Sequence, residues 1–178
     1  MQNFLRFSFL SLATVLLLSA CRADENSDAN STALITTVGQ AILAAEANGT
    51  IPKLNHDDTI AGPDTDGNGI RDDIDTYIAT LPYTEVQKKA LQQNARALSS
   101  SLTVDTADKV ALQKVANDMS NASWCIYTKL TDGTAGKTAG ELEKMIVNTK
   151  NRFLQYEKFN SALSGSVSTS PVGDGCDN

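Results

Sequence analysis

The spacing of apolar residues in the second half of the chain restricts the possible folds more than any other feature. Leu91, Ala95, Leu98 and Leu102 recur in steps of four and three. So do Leu112, Val115, Met119, Ala122, Ile126 and Leu130, and a third series runs through Leu142, Ile146, Thr149, Phe153, Tyr156 and Leu163. Steps of three and four bring side chains to one face of a helix with 3.6 residues per turn. No run alternates at period two for long enough to be a convincing strand. The expected fold is all-α: a small bundle of about four main helices whose apolar stripes share one core.

Local signals set the expected boundaries. Ser31 or Thr32 caps a helix running to about Asn48, with Leu34, Ile35, Val38, Ile42 and Ala45 on one stripe and Gly49 ending it. Residues 51–63 form a non-repeating connection. A short helix then carries Ile74, Tyr77, Ile78 and Leu81 until Pro82 stops it. Thr84 to Gln87 reads as a capping box opening the next helix. The third long helix is expected from Asp105 or Thr106 to Asp132-Gly133, and the last from a second capping box at Thr138 to Glu141. Met119, Trp124, Met145 and Tyr156 fall on or beside the stripes and read as core residues.

Residues 64–75, Asp-Thr-Asp-Gly-Asn-Gly-Ile-Arg-Asp-Asp-Ile-Asp, place an oxygen-bearing side chain at every second position early in the run. Five carboxylates fall within this stretch and only Arg71 opposes them. Two like charges brought to about 4–5 Å at an effective dielectric near 20 repel by roughly 3–4 kcal/mol. A hard divalent cation reverses the sign of that term. Oxygen donors without His or Cys favour calcium over zinc or copper.

The stretch resembles the calcium loop of EF-hand-like proteins, and more closely those of dockerin modules and thrombospondin type 3 repeats, which often close with Asp. The resemblance covers the loop and its exit helix. It implies calcium ligands at Asp64, Asp66, Asn68, the carbonyl of Ile70, Asp72 and Asp75, with Gly69 at the sharp turn. Arg71 stands at a customarily apolar position, and residues 55–63 are a poor entry helix, so the likeness is to half an EF-hand. Dockerins carry paired loops, and this sequence contains a single copy.

At the other end, Arg6 precedes an apolar run over residues 7–18 that closes on Leu18-Ser19-Ala20-Cys21. The run is too short to span a bilayer and ends in small residues, as an export signal does. Leu-Ser-Ala-Cys resembles the lipobox of bacterial lipoproteins, which implies that residues 1–20 are removed and that Cys21 is acylated and anchors the chain in a membrane. Arg22 in place of Asp resembles an outer-membrane sorting context. Polar residues 21–31 read as a flexible tether, 32–164 as the helical domain and 165–178 as a Gly/Ser/Pro-rich tail.

With Cys21 lipidated, Cys125 and Cys176 form an even pair in an oxidising compartment and are expected to be disulfide-bonded. Residues 21–83 hold only Arg22, Lys53 and Arg71 against a large excess of acids. That acidic front half excludes a nucleic-acid partner, which demands a basic face. The single histidine, His56, lies in the connection before the loop. Serine-hydrolase, zinc-protease and phosphate-loop motifs are missing. The resulting expectation is a calcium-binding, lipid-anchored, non-catalytic envelope protein with a structural or interaction role. Two other functions remain open. A small periplasmic hydrolase would place paired carboxylates in a cleft beside the loop, and a dockerin-like module would present an exposed exit helix to an envelope partner.

Overall fold

The computed structural model describes residues 25–167, 169–171 and 173–177, with side chains of the first helix from Thr36 onward. Among the described residues the fold is all-α, with six helices and no strand. They are α1 (Glu25–Ala47), α2 (Asp72–Thr80), α3 (Glu85–Thr103), α4 (Lys109–Lys129), α5 (Ala135–Ile146) and α6 (Lys150–Ala162). The expected bundle is therefore present with more helices than the four main ones anticipated. The lipobox and Cys21 lie outside the described residues. Helix α1 begins at Glu25, inside the stretch expected as a tether.

Helix α3 is the centre of the bundle and packs against α2, α4, α5 and α6. Its N-terminus carries the expected capping box: Gln87 N donates to Thr84 Oγ1 at 3.3 Å, and Thr84 N donates to Gln87 Oε1 at 3.0 Å. Ala90, Leu91, Ala95, Leu98 and Leu102 are buried along one face. Ile74 and Ile78 of α2, Ile126 of α4 and Leu142 and Ile146 of α5 belong to the same core. Each such side chain contributes about 1.5–3 kcal/mol by leaving water. A smaller apolar cluster joins Leu112 and Val115 of α4 to Phe159 of α6.

Several boundaries differ from expectation for identifiable reasons. The start of α4 moves to Lys109 because Asp108, rather than Asp105 or Thr106, accepts from Val110 N and Ala111 N at 2.9 and 3.0 Å. Thr138 is no cap: it lies buried inside α5, which opens where Asp132 Oδ1 accepts from Thr134 N and Thr134 Oγ1. The single last helix is two. Asn148 leaves helical geometry to bond Arg71, Arg152 and the Asn55 carbonyl, and Thr149 caps α6 by accepting from Arg152 N at 3.3 Å. On α6 the fully buried side chains are Arg152 and Phe159, while Phe153 and Tyr156 are only partly covered. Met145 is buried as expected, but Trp124 is 48% exposed on α4.

The disulfide Cys125–Cys176 is present and fastens the tail across α4. Gln93 Nε2 donates to the Gly175 carbonyl at 2.8 Å, and Lys129 pairs with Asp174 at 2.8 Å. The tail residues 173–177 therefore have a defined seat on α3 and α4.

Candidate metal centre

The acidic loop is closed at its neck by a backbone hydrogen bond and anchored to the core at its exit. Asp72 N donates to the Pro63 carbonyl at 2.9 Å, closing the neck of the loop. Ile70 is buried in the main core, and Ile74 N and Asp75 N both donate to the Arg71 carbonyl as α2 begins. Gly67 and Gly69 have φ of 70° and 81°, the left-handed conformation that glycine adopts without a side-chain penalty. Gly69 thus fills the sharp-turn role expected of it.

Between these anchors, three of the expected carboxylates gather around Asn68. Its backbone N–H donates to Asp64 Oδ1 at 3.1 Å and Asp66 Oδ1 at 3.2 Å. Its side-chain amide donates to Asp66 Oδ2 at 3.0 Å and Asp75 Oδ2 at 3.4 Å. Gly69 N donates to Asp64 Oδ2 at 2.9 Å, and Ile70 N to Asn68 Oδ1 at 2.8 Å. The N–H groups stand between like charges and offset part of their repulsion.

Asp72 is oriented differently. Its oxygens accept from Thr65 N at 2.8 Å and Thr65 Oγ1 at 2.6 Å. The Thr65 hydroxyl, and after it the Thr65 N–H, hold the Asp72 carboxyl below its ordinary pKa by stabilising the charged form. Asp75 is positioned from outside the loop, because Gln92 on α3 donates to Asp75 Oδ1 at 2.8 Å. No sequence signal marks Gln92, which lies a helix away.

Among the described residues no group of three or more His, Cys, Asp or Glu side chains is close enough to hold a metal ion. Local geometry accounts for this. Asp64, Asp66 and Asp75 are interleaved by Asn68, and Asp72 is committed to Thr65. Donor chemistry nevertheless fits a hard cation: every side-chain candidate offers oxygen, and the three carboxylates lie within hydrogen-bond reach of one residue.

Arg71 is buried at 4% exposure and leaves the loop for the interior. Its Nε and Nη2 donate to Asp73 Oδ1 and Oδ2 at 2.6 and 3.0 Å, and Nη2 also reaches the Met145 carbonyl at 3.0 Å. Arg152 lies beside it, wholly buried, and donates to the carbonyls of Asn55, Thr59 and Ile60 and to the side chains of Asn55 and Asn148. Burial, followed by repulsion from Arg71, lowers the Arg152 pKa to about 10. This buried pair fixes the connection before the loop, which the sequence left featureless.

The other possible roles find less in the geometry. Ile74, Tyr77 and Ile78 of the exit helix are buried, so they offer no apolar docking face. In the clefts of α3 and α4, Asp174, Asp177 and Asp118 are ion-paired with Lys129, Arg96 and Lys114 respectively. His56 Nε2 meets Glu46 Oε1 at 2.7 Å and ties the connection to α1. Among the described residues no helix is long and apolar enough to cross a membrane. Compared with protein-family models, curated proteins and solved structures, the chain matches none.

Proposed function

We propose that the protein is a calcium-stabilised, lipid-anchored module of the bacterial envelope, with a non-catalytic structural or interaction role. The observation that carries this reading is the convergence of Asp64, Asp66 and Asp75 on Asn68, in a loop whose neck is pinned and whose exit helix is buried in the core. Calcium would be held by those side chains with the Ile70 carbonyl and Asp72 completing the set. The bound ion would cancel the loop's self-repulsion and fix the start of α2. Through Gln92, that order extends to α3, the central helix.

Short aspartate ligands and the lack of an entry helix suit a weak to moderate site, on the order of 10⁻⁵ to 10⁻³ M. At millimolar calcium, binding then stabilises the fold by about 0.4–2.7 kcal/mol. Calorimetric titration of the mature domain tests the reading, together with melting curves in calcium and in chelator. Calcium should raise the melting temperature, and Asp64→Ala or Asp66→Ala should abolish that rise. A wild-type curve unmoved by millimolar calcium would reduce the loop to an acidic turn. Anchoring is tested separately by intact mass of the membrane-extracted chain, which should begin at an acylated Cys21.

A further inference from the structure

Residues 173–177 are bound the way a receptor holds a peptide. The Gln93 side chain is more than nine-tenths buried and brackets one residue of the tail: Nε2 donates to the Gly175 carbonyl at 2.8 Å, and Oε1 accepts from Asp177 N at 3.0 Å. A carboxamide used in this way reads main chain independently of sequence, as a strand partner does. Trp124 Nε1 and Thr128 Oγ1 donate to the next carbonyls along, Gly173 at 3.2 Å and Asp174 at 3.3 Å. Gly175 has φ of 74°, and a Cβ there would meet the Asn121 carbonyl oxygen at 2.5 Å, so the seat accepts only glycine at that point.

Charge adds a second layer of selection. Lys129 pairs with Asp174 at 2.8 Å and Arg96 with Asp177 at 3.5 Å. Lys89 lines the same cleft, of about 530 Å³, with no ion pair among the described residues. Main-chain readout, a glycine-only seat and cations matched to acids amount to peptide recognition more than to the packing of a chain end. The covalent lock, Cys125–Cys176, lies within the bound segment, next to Gly175.

We propose that the α3–α4 groove is a binding site for short acidic, glycine-containing peptide segments, occupied in cis by residues 173–177 as a self-blocking strap locked by the disulfide. The inference does not depend on calcium binding, since none of the groove contacts involves a loop carboxylate. A dithiol reductant opens the lock, the protein disulfide becoming two thiols as the dithiol closes to its own disulfide. While the strap stays tethered its effective concentration is in the millimolar range, so a competitor in trans gains access only when the strap is displaced.

The test uses the full chain and a fluorescein-labelled peptide with the sequence of residues 170–178, serine replacing Cys176, followed by fluorescence anisotropy. Oxidised wild type should not bind it. The double variant Gly175→Val/Cys176→Ser, which expels the strap and leaves the groove intact, should bind saturably under reducing conditions. Adding Gln93→Ala, or replacing both peptide aspartates by asparagine, should weaken that binding at least tenfold. A double variant with native helical circular dichroism and no binding at millimolar peptide overturns the proposal, as does indifference to Gln93→Ala. Should the double variant not fold, hydrogen exchange on reduced wild type decides. Millimolar peptide should speed exchange at residues 173–177 by displacement, and unchanged exchange overturns the proposal.

Discussion

Arg71 and Arg152 donate to the same acceptor, Asn148 Oδ1, at 3.4 and 2.8 Å, and both guanidinium groups are buried. Asp73 is the carboxylate bonded directly to this pair, through Arg71. It also accepts from Asn55 N at 2.6 Å. Asp73 occupies a non-ligand position in the loop, yet it neutralises the interior side of the loop's anchor. Removing one partner of a buried ion pair leaves an uncompensated charge and typically costs about 3–5 kcal/mol. Asp73→Ala should therefore lower the urea midpoint by a corresponding amount, equally in calcium and in chelator. A loss below about 1 kcal/mol would show that the backbone carbonyls alone satisfy the arginines.

Gly62 lies against the same pair. It has φ of 74°, and a Cβ there would run into the Arg71 side chain, with Arg152 Nη2 only 3.1 Å away. Gly67 has a similar φ of 70° but faces open space. Alanine at Gly67 should cost only the left-handed backbone penalty, about 1–2 kcal/mol. Gly62→Ala carries that penalty and also displaces a buried ion pair, so it should cost at least about 2 kcal/mol more than Gly67→Ala. Chemical denaturation of the two variants side by side measures the difference, and equal losses would mean that Arg71 relaxes freely.

How legible each part of the fold was in the sequence follows from the range of the forces that set it. Helix α3 was readable because its cap and its stripe are local: Thr84 and Gln87 act within one turn, and Leu91 to Leu102 share a face. The Cys125–Cys176 bond follows from pairing the two cysteines that remain once Cys21 is set aside. The break at Asn148 was hidden because apolar spacing runs through Ile146, Thr149 and Phe153, whereas the cause lies far away in Arg71 and Asn55. Arg152 was hidden for a related reason. A charged residue is assigned to the surface unless its partners are known, and here they come from residues 55–60. In the acidic loop, spacing along the chain brings Asp64, Asp66 and Asp75 to Asn68, but it carries no information about Gln92 on another helix.

Tyr156 gives a spectroscopic test of how α6 packs against the main core. Burial, and then the nearby Glu143 carboxylate, push its pKa up from the ordinary 10.0 to about 12. The neutral phenol is thus favoured in the folded state. Its contribution to stability is complete below pH 10 and is lost as pH rises towards 12. Lysines, which ordinarily titrate at about pH 10.4, change charge over the same window. Tyrosinate absorbance avoids this mixture. The titration should show a late component near pH 12 that Tyr156→Phe removes, and a wild-type curve complete by pH 11 would refute the burial argument.

Thr65 offers a test of whether Asp72 would serve a calcium ion in the loop. The two Asp72 oxygens are held by Thr65, and this hold is strongest when the carboxylate is charged. The lowered pKa means that the contribution is present above the ordinary Asp value of 3.8 and is lost as pH falls through the lowered one. Thr65→Val removes the hydroxyl donor and keeps the backbone N–H, so the Asp72 carboxyl resonance in an NMR titration should move up towards its ordinary midpoint. If Asp72 serves calcium, the threonine and the ion compete for the same oxygens, and releasing the carboxylate should tighten calcium binding by a few-fold. Titration calorimetry on Thr65→Val measures this directly. An unchanged affinity, with the pKa shift confirmed, would remove Asp72 from the ligand set and leave Asp64, Asp66, Asn68, Ile70 and Asp75 to hold the ion.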